Sequence, residues 1–162
     1  MNFHSIAFGL TLTAVTGLSA TAQPFDPSLL VGSWKLTSIY DQFTDGRKRE
    51  TWGSNPHGML QFTSNGIVSV QITGGDRGPQ QGSVPTDPVG PLNTYYGTYT
   101  VDAASASVEF HVQRSSWPQW NGATLKRSVE QLSATTLRVV TAPNNDPKEG
   151  PFIVHLEWER IK

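Results

Sequence analysis

The chain has 162 residues, enough for one domain and short of two comfortable ones, with 36% hydrophobic and 15% charged residues. Twelve Lys and Arg against thirteen Asp and Glu leave a formal charge of −1, which offers no electrostatic footprint for nucleic acid or an anionic membrane. Fifteen glycines and eleven prolines imply many turns, and without cysteine the stability has to come from an ordinary core.

At the N-terminus, Ile6 to Leu18 is mostly apolar but too short to span a bilayer comfortably. Ala20-Thr21-Ala22 follows and fits the small-x-small pattern of signal-peptide cleavage. The reading is a signal peptide over residues 1–22 and a mature domain over 23–162, hence entry into the secretory pathway, either secretion or the endoplasmic reticulum lumen. Nothing downstream reads as a transmembrane helix, and no Asn-x-Ser/Thr sequon is present.

Phe25 to Leu30 predicts a short helical turn leading into the first strand. Eight segments rich in β-branched and aromatic residues then read as strands: 34–40, 59–63, 67–73, 95–101, 107–113, 124–132, 136–141 and 152–160. Asp45-Gly46, Asn65-Gly66, Asn121-Gly122 and Asn144-Asn145-Asp146-Pro147 supply turns between them. The basic run Arg47-Lys48-Arg49, broken by Glu50, reads as a solvated turn. The segment from Gly74 to Asn93 is Gly/Pro-rich without a period, as a lid, binding loop or disordered stretch would be. Eight short antiparallel strands predict an up-and-down barrel or a sandwich, and a closed barrel of eight has room for one small ligand.

Alternation assigns faces. Val108, Phe110 and Val112 share one face, with Glu109, His111 and Gln113 opposite. Leu125, Arg127 and Val129 share a face, as do Val154, Leu156, Trp158 and Arg160. In a closed barrel Trp34, at the start of the first strand, neighbours Arg160, at the end of the last. A guanidinium laid on the indole gains cation–π energy, and Gly32 lets the chain cross closely enough for that contact. Gly32, Trp34 and Arg160 are therefore the candidate barrel closure.

These residues resemble the calycin pattern of lipocalins, and more closely the lipocalin-like domain of fungal and bacterial proteins. The motifs that carry the resemblance are "LVGSW" from Leu30, Asp45-Gly46, "WGSNPHG" from Trp52, "FTSNGIVSVQI" from Phe62, Asp76-Arg77, "YGTY" from Tyr96, "HVQRSSWPQWNG" from His111, Arg127 and "WER" from Trp158. They run in order through nearly the whole mature chain. The loop after Asp76-Arg77 is shorter than is usual in that branch, and a secretion signal is not general in it.

The resemblance implies an all-β, eight-stranded antiparallel up-and-down barrel that encloses a hydrophobic small molecule. It also implies an enzyme or auxiliary that assists cyclisation of polyketide-type intermediates in secondary-metabolite biosynthesis, with other pathway enzymes as potential partners. The alternative is a secreted carrier that returns its ligand unchanged. Candidate ligand contacts are Trp52, Asp76, Arg77, Tyr96, Trp117 and Trp120, the last two forming either an aromatic rim or a plug in Trp117-Pro118-Gln119-Trp120.

His111 and Arg127 are the candidate catalytic residues. His111 is an acid or base if its ring faces inward and a surface histidine if not, and the resemblance implies a buried role. Arg127 needs a partner among its aliphatic neighbours, with Asp76, Glu109 or a ligand as options. His57, His111 and His155 lack zinc-site spacing, and neither a phosphate loop nor a nucleophile elbow is present, so no metal or cofactor is expected.

Overall fold

The computed structural model describes residues 25–75, 78 and 90–162. The expected signal peptide, and Asp76 and Arg77, lie outside the described residues.

A one-turn 3-10 helix, Pro27–Leu30, leads in, capped by Asp26, whose carboxylate accepts from the Ser28 amide at 3.0 Å. Strands follow as β1 (Gly32–Phe43), β2 (Lys48–Arg49), β3 (His57–Phe62), β4 (Ile67–Thr73), β5 (Leu92–Asp102) and β6 (Ser107–Ser115). A second 3-10 turn, Pro118–Trp120, precedes β7 (Thr124–Leu132), β8 (Thr136–Thr141), β9 (Asn144–Asp146) and β10 (Gly150–Arg160). Each strand pairs antiparallel with its neighbour, and β1 pairs with both β3 and β10, which closes the eight long strands into an up-and-down barrel. The short β2 and β9 extend the sheet beside β1 and β10. They were not legible as strands, and the basic run read as a solvated turn contains β2.

Three of the four turns form where the sequence places them; the fourth, read at Asn144 to Pro147, is corrected, since Asn144–Asp146 pair with β10 as β9 and the chain turns only at 147–149. Gly46, Gly66 and Gly122 all take positive φ at Asp-Gly or Asn-Gly positions. Between strands, inward residues are apolar: Leu60 and Phe62, Val68, Val70 and Ile72, Val108, Phe110 and Val112, and Leu137 and Val139 are all buried. β1 shows why simple alternation fails part-way. A bulge between Leu36 and Ser38 inverts the faces, so Trp34 and Leu36 point inward before it and Ile39, Asp41 and Phe43 after it.

One end of the barrel is sealed. Trp34 and Trp158 are 0% and 2% exposed. Each indole withdraws roughly 200 Å² from water, on the order of 5 kcal/mol of gross hydrophobic stabilisation. The Arg160 guanidinium lies 4.1 Å from the Trp34 ring centroid. Its Nη1 donates to the Val31 carbonyl at 2.8 Å, its Nε to Ala134 at 2.7 Å, and its Nη2 to the Leu29 carbonyl. Trp34 Nε1 donates to the Leu30 carbonyl at 2.9 Å. Gly32 has φ +138°, and a Cβ there would collide with Arg160 Nη1. The glycine is thus required twice over, for its backbone conformation and for the arginine's passage.

Candidate functional site

β1 runs away from the sealed end and β10 runs back toward it, so Ile39 to Phe43 and Phe152 to Leu156 wall the opposite half of the barrel. That half holds a cavity of about 410 Å³, within the range of small-molecule sites. Ile39, Ile72, Leu125, Phe152, Val154 and Leu156 form its apolar wall. Three tryptophans stand around it: Trp52, Trp117 and Trp120.

The Trp117-Pro118-Gln119-Trp120 segment is held by local chemistry. Proline suits the first position of the 3-10 turn, and the Trp120 amide donates to the Trp117 carbonyl at 2.9 Å. Trp117 Nε1 reaches the Leu92 carbonyl at 3.3 Å. The two indoles lie 4.9 Å apart, and Trp120 meets Tyr95 edge-on at 5.7 Å. Trp117 is 40% exposed while Trp120 packs against the core. The pair is both rim and partial plug, with one ring toward solvent and one toward the cavity.

Polar groups interrupt this wall at three places. Arg127 lines the cavity from β7, 5.8 Å above the Phe110 ring, with Nη1 donating to the Lys126 carbonyl at 2.9 Å. No carboxylate among the described residues comes within 4.0 Å of it. Glu109 is not its partner, since it lies on β6 between the inward Val108 and Phe110 and faces out. Tyr95, from β5, is buried beside Arg127; burial pushes its phenol pKa up while the guanidinium pulls it back. It stands as a neutral hydroxyl. Asn93, two residues earlier on the same face, is 7% exposed, and its Oδ1 has no hydrogen-bond partner.

The third polar element is an ionic clasp at the cavity wall. The bulge turns Asp41 inward, and the Asp45-Gly46 hairpin brings Arg49 opposite it in register. Asp41 accepts from Arg49 Nη2 at 2.9 Å and from Thr51 Oγ1 at 2.8 Å. Arg49 also reaches Asp146 at 2.9 Å and Glu149 at 2.5 Å, and lies 5.0 and 5.2 Å from the Phe43 and Phe152 rings. The amide of Lys148 and then Arg49 hold the Asp146 carboxyl at about 2. Sequence reading missed this group. Its signal was the Asp45-Gly46 turn, which folds residue 49 back onto residue 41.

The remaining candidates fall elsewhere. His111 sits on the outer face, its Nε2 3.1 Å from Thr100 Oγ1 and its Nδ1 3.2 Å from Thr124 Oγ1. It does not line the cavity, so the inward, buried placement implied for it gives way to the surface one. Tyr96 is 49% exposed and borders a shallow outer depression with Gln113 and Arg114; the inward tyrosine is Tyr95. The ends of the Gly/Pro-rich segment meet beside the rim, where Gly74 donates to the Pro91 carbonyl and Gly75 to that of Trp52, both at 2.9 Å. Among the described residues no helix is long and apolar enough to cross a membrane.

The family comparison agrees with this architecture. The chain belongs to the lipocalin-like domain family, whose model matches residues 31–161. A search of curated proteins returned no match. Among solved structures, a redesigned β-barrel aligns with 15% identity and a TM-score of 0.40, over 83% of this chain and 94% of that one. A barrel of this family with an internal cavity is suited to binding a hydrophobic ligand.

Proposed function

We propose that the barrel encloses a small, mainly apolar molecule bearing a carbonyl or carboxylate. The carrying observation is the 410 Å³ cavity whose aromatic and aliphatic wall is interrupted by Arg127 beside Tyr95. Ring systems stack on Trp117 and Trp120, and the guanidinium and phenol donate to the ligand's oxygen.

The same arrangement supports a role as an auxiliary of cyclisation in polyketide-type secondary metabolism. The cavity folds a flexible intermediate into a reactive conformer, trading chain entropy for rate. Arg127 and Tyr95 polarise the reacting carbonyl. His111 has no part in this scheme, because its ring lies outside the wall. The secretory address expected from the N-terminus fits the second reading, a carrier that returns its ligand unchanged.

Deleting the gene in the native host and comparing metabolites by mass spectrometry separates the two. If an uncyclised product accumulates and purified protein converts it, the auxiliary role stands. If only export changes, the carrier reading replaces it. Binding itself is tested by titrating the protein with 8-anilinonaphthalene-1-sulfonate, an anionic aromatic probe. Enhanced probe fluorescence, lost in Arg127→Met, is expected; no enhancement in the wild type contradicts enclosure.

A further inference from the structure

We infer that Asn93 sets the specificity of this cavity, and that the ligand carries a hydroxyl or N–H group for Asn93 Oδ1 as well as the acceptor for Arg127. The ligand class is then a hydroxylated aromatic or conjugated carbonyl compound. This rests on the enclosure reading above and narrows it.

Asn93 carries a cost. Asn93 faces inward at a position where its neighbours are hydrophobic: Ile72 stands beside it in register on β4, and Tyr95 follows it on its own face. Its Oδ1 is buried without a partner. A buried acceptor left unpaired costs about 1–3 kcal/mol, and a leucine of similar size would cost nothing of the kind. The group lines the cavity rather than the sealed core. Its Oδ1 exposes less than 1 Å², so a rotation of the side-chain amide turns it toward an entering donor, which then satisfies it.

Spacing bounds the separation of the ligand's polar groups. Residues two apart on a strand lie roughly 7 Å apart on one face, so Asn93 and Tyr95 are separated by that span, with Arg127 beside Tyr95. The ligand's two polar groups then stand at least that far apart, as they do at opposite ends of a fused two-ring system. Its flat faces meet Trp120 and Trp117, which close the same cavity.

The test uses three probes that share one ring system: 6-hydroxy-2-naphthoate, 2-naphthoate and 2-naphthol, titrated against tryptophan fluorescence. The wild type is expected to bind the hydroxylated acid about tenfold more tightly than 2-naphthoate, one added hydrogen bond to a waiting acceptor. In Asn93→Leu the ratio should fall to about one. In Arg127→Met the preference for 2-naphthoate over 2-naphthol should go, while the preference for the hydroxyl remains. Asn93→Asp keeps an acceptor of the same shape and should keep the hydroxyl preference, which covers the case of a leucine variant that does not fold. Equal binding of both acids by the wild type, or a hydroxyl preference that survives Asn93→Leu, overturns the inference while leaving enclosure intact. If none of the naphthalenes and no anilinonaphthalene sulfonate binds, enclosure itself fails and the inference falls with it.

Discussion

The two halves of the barrel use the same residue types for opposite ends. At the sealed end Trp34 and Trp158 are packed out of water, and an arginine finds three backbone carbonyls and an indole face. At the other end three tryptophans surround space, and an arginine meets a ring face, the Tyr95 phenol and one carbonyl in its own strand. A guanidinium whose three nitrogens each hold a backbone carbonyl is a structural bolt. A guanidinium with donors to spare, facing a cavity, is what the proposed binding role requires. The difference lies in what surrounds each residue and not in its type.

Substitutions at the sealed end should have the largest effect on stability. Arg160→Ala removes the donor to the Leu29, Val31 and Ala134 carbonyls and the cation contact on Trp34 and should cost about 2–3 kcal/mol in urea unfolding. Arg160→Lys should not restore it, since an ammonium cannot reproduce the fork. Rescue by lysine would mean that charge alone closes the barrel.

At the open end the balance should reverse. Trp120→Ala is expected to cost about 1–2 kcal/mol, below the 3–5 typical of a fully buried tryptophan, while weakening anilinonaphthalene sulfonate binding about tenfold. Trp34→Ala should show the full stability loss. Equal stability losses at the two positions would erase the distinction between the ends.

The ionic clasp gives a smaller effect, visible in pH. Asp146 has its folded carboxyl at about 2 against an ordinary 3.8. A depressed carboxyl contributes stability above its unfolded value and loses it as pH falls through the folded one. Melting temperature should therefore drop between about pH 4 and pH 2, and Asp146→Asn should flatten that part of the profile. An identical profile in the variant would remove Asp146 from the clasp. The smallest effect is expected at His111: His111→Gln should change stability by less than about 0.5 kcal/mol and leave probe binding unchanged.

How far the sequence disclosed all this depended on the kind of signal. Strand positions were legible because β-branched alternation and Asn-Gly or Asp-Gly turns act locally. The closure by Gly32, Trp34 and Arg160 was legible because closing an up-and-down barrel makes its first and last strands neighbours. The cavity's polar groups were harder. Asp41 faces inward only because of the bulge after Leu36, which nothing in the residue pattern announces. Arg49 looked like part of a solvated basic turn, although its partners come from β1, β9 and the β9–β10 turn. Asn93 fell at the edge of a segment read as loop, yet β5 begins at Leu92. At the Tyr95-Tyr96 pair, strand parity decides which ring is inside. Gly97, at the adjoining irregularity, sits where a Cβ would occupy the place of the His111 carbonyl.

The most direct test reads both ends at once. The five tryptophans give five indole N–H signals in a proton–nitrogen correlation spectrum, two from the sealed end and three from the cavity. On titration with 6-hydroxy-2-naphthoate, ring-current shifts are predicted for Trp52, Trp117 and Trp120, with Trp34 and Trp158 unmoved. Shifts at Trp34 or Trp158 with a silent rim would contradict the account and place the ligand at the wrong end of the barrel.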